Sequence, residues 1–186
     1  LFIIINWLIK VNIMIVKNNL PIAGIIKTLK LNGRNLTQFY QKETLNVLKL
    51  SDKLIIKKLK KEILKISFNA KEGHLGSSFS VLDILYVLYS YILDITPNKK
   101  NYNKRDYFIL SKGHASLAHA AILYEKNFIN LKELRSYCSY NSILGGHLDR
   151  KKVNGVEVSC GSLGHGISIA VGIALGLKIK KFQNKV

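Results

Sequence analysis

Apolar residues recur every three or four positions from Ser51 onward, at Ile55, Leu59, Ile63, Ile66 and Ala70, while Lys57, Lys58, Lys60 and Lys61 fall mostly on the other side. That period predicts an amphipathic helix, capped by Ser51 and Asp52 and stopping near Gly73. A second helix is expected from Ser80-Val81-Leu82-Asp83, which fits a capping box, through an almost wholly apolar and therefore buried run to Leu93. Pro97 and the Asn/Lys-rich stretch to Arg105 read as a surface loop, and Tyr107-Phe108-Ile109-Leu110 as a short buried strand. Ser111-Lys112-Gly113 then turns the chain into a helix from His114 towards Lys126. Further helices are expected over Leu131 to Cys138 and Gly164 to Lys181, with Gly145-Gly146-His147 in a loop between them. Alternation of helix, buried strand and helix predicts an α/β domain with a parallel sheet.

Before Ser51 the pattern changes. Residues 1–16 are strongly apolar but interrupted by Asn6, Lys10 and Asn12. A bilayer-spanning helix needs about 20 apolar residues, and a signal peptide needs a basic start, so no membrane partner is expected. Met14 is the only methionine, which makes the first thirteen residues read as upstream sequence. The organisation expected is a leader over residues 1–50, apolar and then basic, followed by one domain over 51–186.

Composition narrows the function classes. The 186 residues include 29 basic and 11 acidic side chains, a net charge of +18 that raises the question of nucleic acid. Of the basic residues 25 are Lys and 4 Arg, and Lys, Ile and Asn together make up 65 residues, the bias of an AT-rich coding sequence. The lysines are scattered, and the Arg-based bidentate contacts of nucleic-acid readers have few candidates, so no nucleic-acid partner is expected. Two cysteines, Cys138 and Cys160, form no disulfide framework and point to a reducing, cytoplasmic compartment.

Candidate chemistry sits in the turns. Four of the five histidines flank glycine: Gly73-His74, Gly113-His114, Gly146-His147 and Gly164-His165-Gly166. Glycine lets a ligand approach the backbone closely, and an imidazole beside it can donate to an oxyanion or take a proton near neutral pH. His119, inside a helix, reads as a packing residue. Zinc ligands at short fixed spacing are missing, and so is the G-x-S-x-G of α/β serine hydrolases. Gly161-Ser162-Leu163-Gly164-His165-Gly166 opens a helix whose N–H groups could meet an anion, but its glycine order is not that of a dinucleotide fold. Gly172 and Gly176 read as a close helix contact.

These motifs carry a resemblance. Gly73-His74-Leu75-Gly76-Ser77-Ser78, the run Arg105 to Ala115 with its Leu-Ser-Lys-Gly-His-Ala, Gly146-His147 and the run Gly155 to Gly166 occur in the order seen in transketolase. The match, from Ser51 to Lys181, resembles the amino-terminal, diphosphate-binding half of that thiamine diphosphate enzyme. Gly-Ser-Leu-Gly-His-Gly is closer to the split transketolases, whose halves are separate chains. Deoxyxylulose-phosphate synthase is a weaker relative.

The resemblance implies a partial doubly wound, parallel-sheet thiamine-diphosphate-binding domain, truncated on its C-terminal side. It implies that His74 lies beside the reacting carbon and helps deprotonate the donor sugar, and that His147 holds the first hydroxyl of the ketose. His114 is then the histidine on the cofactor diphosphate, and Gly161, Ser162 and Leu163 the loop whose backbone faces the cofactor rings. The reaction implied moves a two-carbon ketol unit from a ketose phosphate to an aldose phosphate. Thiamine diphosphate and Mg²⁺ are the cofactors, with sugar phosphates, a C-terminal transketolase subunit or domain and a homo- or hetero-oligomer as partners.

Two departures shape the expectation. Leu148 follows His147 where the family often has proline, and none of the five Asp residues adjoins a glycine, so the family's Gly-Asp-Gly metal ligands have no counterpart here. The 186 residues by themselves are expected to have neither transketolase activity nor Mg²⁺-dependent cofactor binding. The alternative is a catalytically inactive remnant, at most a binding or assembly module.

Overall fold

The computed structural model describes residues 48–72, 74–98 and 105–186. The expected leader, with Met14, lies outside them up to residue 47, as does Gly73.

Helix α1, Leu50–Ala70, follows the period in the sequence: Ile56, Leu59, Ile63 and Ile66 are buried, and Lys57, Lys58 and Lys61 are exposed. Its start is not the Ser51 cap. The helix begins one residue earlier, and Asp52, inside its first turn, reaches back to accept the Lys49 backbone N–H at 2.8 Å. It stops at Ala70 because Lys71 adopts a left-handed backbone (φ 54°), closing the N–H groups of Lys71 and Glu72 onto Phe68 and Ser67.

Helix α2, Leu75–Val87, starts well before the expected capping box. Nothing between Leu75 and Ser80 breaks a helix, and the Ser78 N–H closes onto the His74 carbonyl at 3.0 Å. Ser80 therefore sits inside α2 with its Oγ donating to the Ser77 carbonyl, and Asp83 pairs with Lys60 of α1. The chain continues through a π turn, Leu88–Ile92. Buried Asp52 ties both α2 and this turn to α1, accepting the Tyr86 hydroxyl at 3.0 Å and the Tyr91 hydroxyl at 2.5 Å. The stretch Leu75–Ile92 is long and apolar enough to cross a membrane by those two criteria alone. It packs against α1, α3 and the turn that precedes α3, with 33% of the stretch buried.

That turn is a 3₁₀ element, Gly113–Ala115, and it leads into α3, Ser116–Glu125. Every residue from Ser116 to Leu123 is buried, so α3 is the helix around which α1, α2 and α4 pack. Helix α4, Leu131–Arg135, is opened by a reciprocal Asn130–Glu133 cap and is shorter than expected. Helix α5, His165–Ile179, completes the order.

Two expectations fail here. Among the described residues no strand forms, and Tyr107–Leu110 is irregular and half-buried. One backbone bond, Tyr107 N–H to the Lys185 carbonyl at 2.8 Å, aligns this segment with residues near 185. Otherwise it is held through the Asp106 carboxylate, which accepts the backbone N–H groups of Asp94 and Lys185. A strand is defined by a ladder of pairings, and one bond does not make a ladder.

The second failure is the reading of Gly172 and Gly176 as a close helix contact. Among the described residues a Cβ built on either glycine meets nothing within 4 Å, and α5 buries only Gly166 and Leu177. Gly172→Ala should therefore stabilise α5 by about 1 kcal/mol, the usual cost of glycine inside a helix. Thermal unfolding of the variant checks this, and a destabilisation would restore the close-contact reading.

Candidate functional site

Three histidines from three separate turns meet. His74 caps the start of α2, His114 lies in the 3₁₀ turn before α3, and His147 follows Gly145-Gly146. The His74 and His114 ring centroids are 4.9 Å apart and those of His114 and His147 5.1 Å, each pair edge to face. His114 is half-buried at the centre, while His74 and His147 are exposed on either side.

Local structure explains why each ring is where it is. Lys112 donates to Ser80 Oγ at 2.8 Å, fastening the His114 turn to α2. Gly113 packs so closely that an added Cβ would lie 2.2 Å from the Cys160 carbonyl oxygen and 2.9 Å from His147 Cδ2. Gly161 also backs onto the His147 ring, 3.4 Å from the position of its own missing Cβ. The carbonyl before His147, that of Gly146, accepts the Ser116 hydroxyl at 2.5 Å, and Ser116 also meets the Tyr137 hydroxyl at 3.0 Å. Burial pushes the Tyr137 phenol up to about 12, so it stays a neutral hydrogen-bonding group.

Of the residues singled out in the sequence, the structure thus brings together His74, His114, His147 and Gly161. Ser162 and Leu163 are exposed on the turn that enters α5, Leu163 at 70%, and adjoin the site as the next residues of the chain. Gly164 caps α5 with φ 89°, a conformation that favours glycine. Gly166 presses against the Ser111 backbone, where an added Cβ would lie 2.5 Å from the Ser111 Cα. His165 is exposed at the start of α5. His119 is fully buried on α3, as a packing residue should be, with its Nε2 2.9 Å from the Tyr89 hydroxyl.

Two features escaped the sequence reading. Glu72 places its Oε2 3.5 Å from His74 Nδ1. Arg105 and Glu157 form a buried ion pair that ties the Arg105–Ala115 motif to the Gly155–Gly166 motif. Burial, and secondarily the Glu72 carboxylate, raises the Cys138 thiol, and burial raises that of Cys160, so both are protonated at neutral pH. Among the described residues no group of three or more His, Cys, Asp or Glu is arranged to hold a metal ion. What the three rings offer is a row of hydrogen-bond donors and proton acceptors open to solvent on two sides.

Comparison with known proteins assigns this arrangement to a family. The family model described as transketolase, thiamine diphosphate binding domain, matches residues 51–185. The chain is 39% identical over 128 residues to one of the subunits of the apulose-4-phosphate transketolase of Phocaeicola vulgatus, covering 69% of this chain and 45% of that one. It is 46% identical over 109 residues to a protein of Rhodococcoides fascians named ferredoxin fas2, covering 59% of this chain and 36% of that one. The chain therefore spans less than half the length of these relatives. The solved transketolase of Leishmania mexicana superposes with a TM-score of 0.62 at 27% identity, over 69% of this chain and 19% of that one. These likenesses fit an α/β fold, of which the described residues supply the helices. The chain belongs to the transketolase family and corresponds to its amino-terminal, thiamine diphosphate-binding half.

Proposed function

We propose that the chain is the amino-terminal portion of a transketolase, moving a two-carbon ketol unit from a ketose phosphate to an aldose phosphate. The observation that carries this reading is the meeting of His74, His114 and His147 from three distant motifs in one row. The donor set fits thiamine diphosphate: imidazole N–H groups suit phosphate oxygens, and side-chain-free Gly161 leaves the backbone open beside them. His114, half-buried and central, would hold the diphosphate, and the backbone of Gly161, Ser162 and Leu163 would lie toward the rest of the cofactor. When bound, thiamine diphosphate supplies the carbanion chemistry that a protein side chain lacks. His74 takes and returns the proton of the donor sugar, and His147 holds its first hydroxyl.

The described residues do not fit Mg²⁺. That ion needs several oxygen ligands near octahedral geometry, and no such cluster is present among them. Further sequence, and a carboxy-terminal subunit or domain of the kind implied by the split relatives, completes the site in this reading. The compartment is the cytoplasm, and the fold is completed by a parallel sheet.

The test is ketol transfer by the chain joined to the further sequence this reading requires and assembled with a carboxy-terminal split-transketolase subunit, thiamine diphosphate and Mg²⁺. Product should form from a ketose phosphate, and His74→Ala should cut the rate by about 100-fold or more, the scale of a lost acid–base group. A folded assembly that gives no product would instead favour the inactive remnant.

A further inference from the structure

Glu72 lies two residues from His74 and is held more firmly than a loop residue needs to be. Its N–H donates to the Ser67 carbonyl at 3.1 Å, and its own carbonyl accepts the Ser67 hydroxyl. Both sides of its backbone are thus tied to one residue of α1, beyond the left-handed stop at Lys71. The side chain is directed by this frame. Oε2 lies 3.5 Å from His74 Nδ1, and Oε1 lies 3.4 Å from where a Cβ on Gly146 would stand. A Cβ at Gly146 would stand in ordinary van der Waals contact with the carboxylate.

We infer that Glu72 is a positioning residue that holds the His74 ring with its proton on Nδ1, leaving Nε2 as the bare proton acceptor. This deepens the reading of His74 as the group that takes the sugar proton, and rests on it. The physical reason is the chemistry of the pair. A neutral imidazole has one donor and one acceptor nitrogen, and an ionised carboxylate only accepts, so the nitrogen facing Glu72 is the one that carries hydrogen. An imidazole without such a partner prefers its proton on Nε2, which would present the wrong atom. The 3.5 Å separation matches the loose geometry that acid–base sites show before substrate tightens them. The His74 ring also meets the His114 ring edge to face, with centroids 4.9 Å apart. Orientation by the carboxylate and by the neighbouring ring together leave one productive arrangement.

The experiment is long-range ¹H–¹⁵N NMR of the histidine rings in the full 186-residue chain, above the pH at which the rings are protonated. The samples are wild type, Glu72→Ala and Glu72→Asp, with no cofactor or sugar present. The wild-type His74 is expected mainly as the Nδ1–H tautomer, shifting mainly to Nε2–H in Glu72→Ala, with partial recovery in Glu72→Asp. His114 and His147 should keep their signals. A wild-type His74 found mainly as Nε2–H would overturn the inference, and so would a tautomer unchanged in Glu72→Ala. The wild-type spectrum decides the matter even if a variant folds poorly. Because the readout needs neither catalysis nor cofactor, its failure is distinguishable from failure of the transketolase assignment.

Discussion

Gly113→Ala is expected to destabilise the domain and displace His147 in the same stroke. The added methyl would lie 2.2 Å from the Cys160 carbonyl oxygen, 2.8 Å from the Cys160 carbonyl carbon and 2.9 Å from His147 Cδ2. Two of those atoms are backbone, so no side-chain rotation relieves the clash, and the 3₁₀ turn must separate from the Cys160–Gly161 segment. Overpacking of this kind costs about 1–3 kcal/mol. For a chain of this length each kcal/mol lowers Tm by roughly 2–4 °C. Gly76→Ala is the matched control, because a Cβ there meets nothing within 4 Å. Thermal melts of the two variants, with the His147 ring signals followed by NMR, check the prediction. A Gly113→Ala protein that melts with the wild type and keeps its His147 signals would contradict it.

Acid should unfold the protein through His119. Burial holds this imidazole neutral and pushes its folded value from 6.5 down to about 3. In the unfolded chain it protonates near its ordinary value. Between those limits the unfolded state binds the extra proton, so stability rises with pH: the contribution is complete above about 6.5 and is lost as pH falls towards 3. At about 1.4 kcal/mol per pH unit, the loss reaches on the order of 5 kcal/mol. Replacing His119 by Phe leaves the Tyr89 hydroxyl without its partner and lowers stability at neutral pH by about 1–3 kcal/mol. It should also remove one proton's worth of slope between about pH 6.5 and 5, where carboxylates remain ionised. Denaturant titrations across that window measure the slope, and identical slopes in wild type and variant would rule out the role given to His119.

How far the molecule could be read from its sequence depended on how local each feature is. The face of α1 was legible because its period is written into consecutive residues, and only the cap and the exact register at Ile55 and Ile56 differed. The start of α2 was misread at Ser80, because a capping-box pattern does not end a helix already running from Leu75. The π turn, which brings the Tyr91 hydroxyl to Asp52, left no pattern in the sequence. Tyr107–Leu110 looked like a strand by composition, yet strands are made by distant partners, and this segment has one backbone bond to Lys185. Gly172 and Gly176 had helical spacing without a neighbour among the described residues to receive it.

The site was more legible than the sheet. His74, His114 and His147 could be grouped by chemistry and by resemblance, because each sits in a glycine turn between elements. Glu72 could not, since its approach to His74 depends on the left-handed turn at Lys71 folding it back. The Arg105–Glu157 pair joins two quoted motifs, but nothing in either motif alone announces the other.

Central to the proposed function is that the three-histidine row receives the cofactor diphosphate at His114. The most direct measurement is a titration of the chain with thiamine diphosphate, followed by histidine-ring and backbone NMR, with and without Mg²⁺. The expected result is saturable changes at millimolar cofactor that are largest at the His114 ring and extend to Gly161, Ser162 and Leu163, with no gain from Mg²⁺. Changes centred elsewhere in the domain, or none at His114, would contradict it.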